Sequence, residues 1–539
     1  MKSTVKALVS LSLVIVFISG FVLSDTIKEA IEVYRNYIRI TVNGSPVTSD
    51  NFLYNNTTYV PLKSVAQMLG VQVGWDQNTK TALLTSNTGN DYVDIKISTL
   101  VSPYNVKINL SELGISTEQI EGYKLEQNNV MINKDIAFKD GYVTILGKYS
   151  DVAGHSIDLN SSYTLKLHTS SGSKYKLSFI TSGLPKIAEG EERQLILVPA
   201  MPEKGFHWPY YIAIPSNQYK SENKYDKRYM LVDTTNNGVT ESFDVCLNST
   251  YDTVNTRSQY SLSVAEYLNT PALMPVFPRP NVWYESSEDG WGGFYTHALD
   301  RDTATLHLKM EDPALSAMLD ESFAELKFDI DQLKQLDCQL EAMIEHAIDY
   351  LNSNGFKLEE KVFMCGYSAS GTFTDRFTNL HPDKVKAVAS GGTLDDMMLP
   401  LDRYQNENLI FPIGNYDYKE ITGRSFDINA HNQVARLIFM GEDDTNNVVP
   451  YSDCYGDRER AVIIKLWGEE VLPRASSLIK LYGEAGGKGI FILDNGVGHS
   501  FSNEMSEYIL EFFRANIDSH KPQYPIPKNS KQLKYTLYE

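Results

Sequence analysis

The sequence predicts a multidomain chain whose largest part is a mostly parallel β-sheet with helices on both faces. Its 539 residues exceed the length of one ordinary domain, so two or three domains are expected. From about Glu189 onward, apolar strand patterns alternate with helical patterns, which is typical of a parallel sheet. Two smaller regions precede it: a small α+β module and a stretch of alternating strands that indicates a β-sandwich.

Composition and charge indicate a globular protein that does not bind nucleic acid. Apolar residues make up 42% of the chain and charged residues 22%, which is an ordinary globular balance. The net charge of −19 argues against nucleic acid as a partner, because phosphates require a basic surface. The histidines are scattered and none pairs with a cysteine at zinc-site spacing, so we expect no metal and no cofactor. We also expect no disulfide framework, and Cys365 reads as a small core residue.

The N-terminus has the pattern of a secretory signal peptide over residues 1–24. Lys2 and Lys6 precede an uncharged apolar run, and Val22 and Ser24 are small enough for positions −3 and −1 of a cleavage site. The alternative is an uncleaved membrane anchor, because the run is long enough to span a bilayer. Either reading predicts a secreted or cell-surface protein.

The first module covers residues 36–88. Alternating apolar residues in "YIRITVNGSPV" and the hairpin signal Asn43-Gly44 predict paired strands, followed by a short helix over Leu62–Leu69 and two more strands. The run "YVPLKSVAQMLG", followed by "VGWD", resembles the copper amine oxidase N-terminal-like domain of secreted bacterial proteins. That module is non-catalytic, so the resemblance implies attachment to the cell wall or to a surface partner. A folded spacer is the alternative.

The second region, residues 91–187, is predicted to be a β-sandwich. It is rich in Val, Ile, Tyr, Thr and Ser, with turn residues between the alternating segments. Ser161–Ile180 reads as a hairpin that turns at Ser171-Gly172. We find no catalytic constellation in this region.

The third region, residues 190–518, contains the predicted parallel sheet, and residues 519–539 form a C-terminal tail that is either flexible or packed along the domain. Apolar residues at helical spacing predict a helix from Leu333 to Leu351, ended by Gly355. The predicted strands are Leu195–Val198, Tyr210–Ile214, Tyr229–Thr234, Ala272–Phe277, Lys361–Gly366, Lys386–Ser390, Arg436–Gly441 and Gly489–Asp494.

The segment "VFMCGYSASGTF" predicts a strand, a tight turn and a helix. This is the context that a nucleophilic serine requires, because the turn lifts the hydroxyl clear of the sheet. The register makes Ser368 the nucleophile and leaves Gly366 and Ser370 as the small flanking residues. A glycine-rich turn without chemistry is the alternative.

Residues 190–518 resemble an α/β-hydrolase catalytic domain of the esterase and depolymerase kind. "GYSASG", followed by "RFTNLHPDKVKAVASGG", carries the resemblance, and this chain has Ser370 where the usual pattern has glycine. The resemblance implies a Ser-His-Asp triad and an acyl-enzyme mechanism. The histidine follows the last strand, "GIFILD", and is therefore His499, while His381 and His431 are weaker candidates. The acid follows the penultimate strand, where Glu442, Asp443 and Asp444 compete.

The family pattern favours Asp444 over Asp443 as the acid. For the oxyanion hole it implies the amide of Ala369 and a donor from "TTNNGV", for which Asn237 and Gly238 are the candidates. Four further residues are candidates for substrate binding: Arg279, Trp283, Trp291 and Tyr367. Arg279 is equally suited to a structural ion pair. The tryptophans, with Tyr295, suit stacking on a sugar or an aromatic acyl group, or simple packing of their loop.

These features predict a secreted or cell-surface serine hydrolase that acts on a small-molecule or polymer-borne carboxylic ester. Two alternatives remain at this point. The same triad also suits a serine peptidase, although no propeller domain is evident. A non-catalytic surface or adhesion protein is the other alternative, and the filled triad positions argue against it.

Overall fold

The computed structural model of the chain describes residues 33–35, 40–42, 45–47, 50–55, 57–68, 71–76, 81–86, 92–99, 101, 106–127, 129–132, 135–146, 158, 160–220, 224–234, 243–280, 282–286, 290–323, 329–451 and 454–539. The predicted signal peptide, residues 1–24, lies outside these residues. None of the helices within them combines the length and apolarity that a membrane span requires.

The chain divides into two compact units. The first consists of residues 1–96, 119–124 and 164–178, and the second of residues 97–118, 125–163 and 179–539. The N-terminal module belongs to the first unit and has the predicted order of strands, one helix and a hairpin. Its elements are β1 Tyr34–Arg35, β2 Ile40–Val42, β3 Ser45–Val47, β4 Phe52–Tyr54, β5 Thr57–Tyr59, α1 Leu62–Met68, β6 Val71–Asp76 and β7 Thr81–Ser86.

Residues 91–187 form strands, as their alternating pattern predicts, and these strands are divided between the two units. Their assembly into one β-sandwich domain stays a prediction. The strands are β8 Tyr92–Lys96, β9 Lys107–Asn109, β10 Ile120–Gln127, β11 Val130–Ile132, β12 Asp135–Lys139, β13 Tyr142–Leu146, β14 Ser162–Thr169 and β15 Lys174–Ile180. In the first unit β8 pairs in parallel with β15. In the second, β12, β13 and β9 form an antiparallel sheet. The predicted turn at Gly172 is present, with a positive φ of 84°.

The rest of the second unit alternates strands and helices. Its strands are β16 Gln194–Val198, β17 Tyr210–Ile214, β18 Leu231–Val232, β19 Ala272–Pro275, β20 Trp283–Ser286, β21 Gly290–Gly293, β22 Val362–Tyr367, β23 Val385–Gly391, β24 Arg403–Tyr404, β25 Glu407–Asn408, β26 Ala435–Gly441, β27 Gly489–Asp494 and β28 Leu533–Tyr538. Its helices are α2 Phe243–Thr256, α3 Tyr260–Tyr267, α4 Arg301–Lys309, α5 Pro313–Phe323, α6 Leu336–Ser353, α7 Ala369–Leu380, α8 Tyr418–Thr422, α9 Ile428–His431, α10 Asp457–Trp467, α11 Val471–Glu484 and α12 Asn503–Asn516.

The main sheet of this unit has the order β16-β17-β19-β18-β22-β23-β26-β27-β28 in the described residues. Five neighbouring pairs from β19 to β27 are parallel. The prediction of a mostly parallel sheet is therefore confirmed, while β17 and β28 run antiparallel to their neighbours. Because the parallel strands share a direction, the loops that leave their carboxyl ends meet at one edge of the sheet.

Helices α2, α6, α7 and α12 pack against strands of this sheet. The predicted helix around Leu340 is α6, and its apolar positions are buried as the spacing requires. It begins at Leu336 rather than Leu333, because Leu333 belongs to a preceding 3-10 turn. Gly355 follows with a positive φ of 93°, a conformation that favours glycine.

The predicted C-terminal tail is part of the sheet over its last segment. β28 pairs antiparallel with β27 along its whole length. The predicted domain boundary at residue 518 therefore ends the domain too early. The alternation of Leu533, Tyr535 and Leu537 in the tail was the signal for this strand.

Candidate active site

Ser368 lies in the tight turn between β22 and α7. Its backbone has φ 59° and ψ −131°, a region that residues other than glycine rarely adopt. The Ser368 N–H donates to the Gly391 carbonyl oxygen at 2.8 Å, which ties the turn to the neighbouring strand β23. The strain expected of a nucleophile turn is therefore present at the residue that the sequence singles out.

The neighbouring serine, Ser370, is turned inward. Its side chain is 1% exposed, accepts from the Tyr367 N–H at 3.0 Å and donates to the Tyr367 carbonyl oxygen at 3.1 Å. Ser370 thus closes the turn with a local hydrogen-bonded ring. Ser368, by contrast, is partly exposed and directs its hydroxyl to a histidine. The geometry of the two serines therefore differs in the way that the predicted register requires.

Gly366 allows this turn to close, and its replacement by alanine is expected to destabilise the protein by about 3 kcal/mol or more. A Cβ at residue 366 would lie 2.4 Å from the Ser370 carbonyl oxygen, so the backbone would have to move. Gly122→Ala is the matched control, because a Cβ there meets nothing within 4 Å. Chemical denaturation of both variants measures the effect. Equal stabilities would contradict this account of the turn.

His499 connects Ser368 to Asp444. Its Nε2 lies 2.9 Å from the Ser368 Oγ, and its Nδ1 lies 2.8 Å from the Asp444 Oδ2. A carboxylate only accepts hydrogen bonds, so Nδ1 carries a proton and Nε2 is free to accept from the hydroxyl. Asp444 is 7% exposed, while a third of the His499 side chain is accessible. The arrangement lies at the edge of the sheet where β22, β26 and β27 end.

The three acidic residues that compete for the third position have different environments. Glu442 accepts a hydrogen bond from the Lys534 ammonium at 2.6 Å. Asp443 is exposed to solvent. Asp444 faces His499 and also accepts from the Asn446 N–H at 2.8 Å. Among these carboxylates, Asp444 is the one that the structure brings to the imidazole.

Buried polar contacts hold the loop that carries His499. Asp494 is fully buried at the end of β27 and accepts from the Ser502 N–H at 2.6 Å, from the Ser502 hydroxyl at 3.0 Å and from the Gln532 side chain at 2.7 Å. Ser502 in turn caps α12 by accepting from the Met505 N–H. The two ends of the histidine loop are therefore joined. This contact could not be predicted from the sequence, because a buried aspartate at the end of a strand has no local signature.

A second buried contact holds the loop that carries Asp444. The fully buried Arg474 on α11 donates to the Asn447 Oδ1 at 2.7 Å and to the Asp395 Oδ2 at 2.6 Å. Asn447 also donates to the Glu469 carbonyl oxygen at 2.6 Å. These residues have no shared signal in the sequence, since they come together from separate helices and loops. They fix the loop by which Asp444 reaches the histidine.

The N-terminal module matches a known protein family. Residues 40–115 match the family model of the copper amine oxidase N-terminal domain. This confirms the resemblance seen in "YVPLKSVAQMLG", and the match extends beyond the predicted boundary at residue 88. No curated protein matches the chain.

Several solved structures resemble the larger part of the chain. A poly(3-hydroxybutyrate) depolymerase from Bordetella parapertussis is 14% identical, with a TM-score of 0.35, and the alignment covers 60% of this chain and 89% of that one. A poly(aspartic acid) hydrolase from Sphingomonas sp. KT-1 is 16% identical, with a TM-score of 0.34 and coverage of 60% and 98%. A fluorophosphonate-binding serine hydrolase from Staphylococcus aureus is 13% identical, with a TM-score of 0.31 and coverage of 62% and 100%.

The candidate oxyanion donors fall into two groups. Ala369 is the first residue of α7, and the amides of a first helical turn have no acceptor within the helix. Its N–H therefore has no acceptor within α7, and its role as an oxyanion donor stays a prediction. Asn237 and Gly238 lie outside the described residues, so their role stays a prediction.

Arg279 and Tyr367, two candidates for substrate binding, have different surroundings. Arg279 lines a small cleft with residues from the exits of β18 and β19, from the 3-10 turn Thr296–Ala298 and from α7, namely Thr234, Pro275, Phe277, Thr296, His297 and Phe373. The Tyr367 hydroxyl donates to the Ser500 carbonyl oxygen at 2.9 Å, and its ring centroid lies 5.2 Å from that of His499. Tyr367 therefore supports the histidine loop, and its contact with substrate stays a prediction.

The other candidates for substrate binding, Trp283 and Trp291, are both on the hairpin formed by β20 and β21. They are 49% and 54% exposed. Tyr295 is buried and meets Trp283 edge to face, with centroids 5.6 Å apart. Tyr295 therefore packs the loop onto the domain, whereas Trp283 and Trp291 remain accessible to solvent.

One group of potential metal ligands occurs in the described residues, outside the candidate active site. Ligand atoms of Asp337, Cys338 and His381 lie within 4.8 Å of one another. His381 already engages carboxylates through both ring nitrogens: Nε2 lies 2.9 Å from the Asp337 Oδ2, and Nδ1 lies 3.1 Å from the Glu341 Oε2. We therefore assign this cluster to an ion pair between α6 and the end of α7.

Replacing His381 by glutamine is expected to lower the free energy of unfolding by about 3 kcal/mol at pH 6.5. Burial opposes protonation of the ring, but hydrogen bonds to Asp337 and Glu341 outweigh it and raise the pKa of His381 to about 9. The stabilisation is fully present below the unfolded pKa of about 6.5 and is lost as the pH rises through about 9.

Urea unfolding of the parent and of His381→Gln at pH 6.5, 8 and 10 measures this dependence. The difference between the two proteins should shrink steadily toward pH 10. A constant difference across the range would show that the contribution of His381 does not depend on its charge.

Proposed function

We propose that the chain is a serine hydrolase that cleaves carboxylic esters through an acyl-enzyme. The observation that supports this proposal is the continuous hydrogen-bonded line from the Ser368 hydroxyl through His499 to Asp444. A serine hydroxyl does not ionise near neutral pH, so nucleophilic attack requires a base in hydrogen-bond contact. The line ends on a buried carboxylate, which suits the stabilisation of an imidazolium.

In the proposed reaction the Ser368 Oγ attacks the ester carbonyl carbon, while His499 Nε2 takes the hydroxyl proton. The amide of Ala369 donates to the oxyanion of the tetrahedral intermediate. The intermediate collapses, and His499 returns the proton to the departing alkoxide, which leaves as an alcohol. A water molecule then attacks the acyl-enzyme with the same proton transfers and releases the carboxylic acid.

Asp444 keeps the imidazole in the tautomer that accepts at Nε2 and stabilises its charge after proton transfer. Tyr367 and Asp494 act as positioning residues, because they contact the histidine loop rather than the reacting atoms.

We further propose that the protein acts outside the cytoplasm and that the N-terminal module attaches it to a cell wall or to a surface partner. The pattern of residues 1–24 and the match to the copper amine oxidase N-terminal domain support this placement. The choice of esters over peptides follows from the resemblance of residues 190–518 to esterases and depolymerases.

A fluorophosphonate probe tests the proposed nucleophile. The probe should label the folded parent and Ser370→Ala, and it should fail to label Ser368→Ala. The inward hydrogen bonds of Ser370 make it the matched control for the neighbouring Ser368. Folding of each variant is checked by its thermal unfolding.

Absence of labelling in the folded parent would refute the proposal. Labelling that persists in Ser368→Ala but disappears in Ser370→Ala would move the nucleophile to the other serine. A panel of p-nitrophenyl esters and peptide anilides then compares ester with peptide substrates.

A further inference from the structure

The hairpin formed by β20 and β21 presents two tryptophans on one face. Trp283 lies opposite Gly293, and Glu285 lies opposite Trp291. Since side chains alternate along a strand, Trp283, Glu285 and Trp291 share a face. Tyr284, on the other face, is only 3% exposed and meets Phe294 with ring centroids 5.7 Å apart. The buried aromatic residues hold the hairpin in place, and the tryptophans stand on its open side.

The ring of Trp283 is held in a defined position. A Cβ at residue 293 would lie 3.1 Å from the Trp283 Cε3, so the glycine opposite provides the space that the ring uses. Tyr295 contacts the ring edge to face at an interplanar angle of 82°. A ring that is already ordered loses little conformational entropy when it binds a ligand. About half of each indole is nevertheless accessible to solvent.

The hairpin lies at the same edge of the sheet as Ser368. It follows the carboxyl end of β19, which runs parallel to β18 and, through it, to β22. The Trp291 N–H donates to the Asp457 Oδ2 at 3.2 Å at the start of α10. In the sequence, α10 is the next helix after the loop of Asp444. The tryptophan face and the triad therefore belong to neighbouring loops of one edge.

We propose that Trp283 and Trp291 bind sugar rings of a neutral polysaccharide that carries the ester. Aromatic faces pack against the C–H faces of sugar rings, and two accessible indoles on one strand pair suit successive rings of a polymer. Glu285 between them accepts hydrogen bonds from hydroxyl groups. The charge of Glu285 and the net charge of −19 oppose binding of an anionic polymer.

This inference rests on the proposed function, because it names the substrate class of the same site. Ester groups on the polysaccharide would reach Ser368 while the chain of sugar rings lies on the tryptophan face. The binding step itself does not require a nucleophile. Binding and hydrolysis can therefore be measured separately.

Affinity electrophoresis of the full chain with Ser368→Ala tests the binding step. The probes are unsubstituted xylan and glucomannan as neutral polymers, polygalacturonate as an anionic one and chitosan as a cationic one. We expect retardation by at least one neutral polymer and a loss of affinity of at least tenfold in Trp283→Ala/Trp291→Ala. Tyr267→Ala, which removes a similarly exposed aromatic ring on α3, should leave the affinity unchanged.

Three outcomes would overturn the inference: no retardation by a neutral polymer, unchanged retardation of the double variant, or binding confined to a charged polymer. With the active chain, the double variant should raise KM for acetylated xylan, and Tyr267→Ala should leave that KM unchanged. If xylan retards Ser368→Ala but the parent protein hydrolyses no ester, the binding surface is supported and the hydrolase proposal is refuted. Failure of the binding inference can therefore be distinguished from failure of the proposed function.

Discussion

Replacement of His499 by alanine is expected to lower kcat for a p-nitrophenyl ester by about 10⁶-fold. His499 is the group in contact with the Ser368 hydroxyl, at 2.9 Å, and without it the hydroxyl keeps its proton at neutral pH. The residual rate then comes only from binding and from the oxyanion donors. Initial rates of the parent and variant at saturating ester measure the effect.

His520→Ala serves as the control, because His520 is exposed and follows α12, outside the loops that carry Ser368, Asp444 and His499. Its rate should stay within twofold of the parent. Retention of a tenth or more of the parental kcat by a folded His499→Ala protein would show that another group removes the proton.

Asp444→Asn is expected to lower kcat by about 10⁴-fold, with little change in folding. An amide at residue 444 can present a donor to Nδ1, so the imidazole would shift its proton to Nε2 and lose the ability to accept from Ser368. Asp443→Asn should stay within twofold of the parent, because Asp443 is exposed and the His499 Nδ1 is already bonded to Asp444. Comparison of the two variants shows which of the adjacent aspartates, Asp443 or Asp444, orients His499.

Rates at several pH values are informative for this pair of variants. The loss in Asp444→Asn should lessen at high pH, where hydroxide replaces the general base. A larger loss in Asp443→Asn than in Asp444→Asn would reverse the assignment. Equal and small losses in both would indicate that neither carboxylate orients the histidine.

The turn at Ser368 could be predicted because its determinants are local. Apolar residues in β22, Gly366 before the serine and the helical spacing of Phe373 and Phe377 after it are consecutive in the sequence. The strands Tyr210–Ile214 and Gly489–Asp494 were predicted to the residue for the same reason. The residues alone did not distinguish Glu442, Asp443 and Asp444 as candidates for the acid. The preference for Asp444 came from the family pattern.

The supports of the site could not be predicted, since they depend on distant contacts. Gln532 reaches Asp494, and Arg474 reaches both Asp395 and Asn447. Strand β18 is shorter than the predicted Tyr229–Thr234, because the apolar pattern extends past the residues that pair. The first strands of the sheet pair antiparallel, which an apolar run does not reveal.

The strand β28 also has a consequence for the solubility of the protein. It covers the outer edge of β27, whose backbone groups would otherwise be open to pairing with another molecule. Exposed Lys534 on this strand places a positive charge on what is now the outermost edge. A shortened chain that stops before Leu533 would expose an apolar strand, "GIFILD", to intermolecular pairing. Such a protein is expected to aggregate on expression even though Ser368, His499 and Asp444 are all retained.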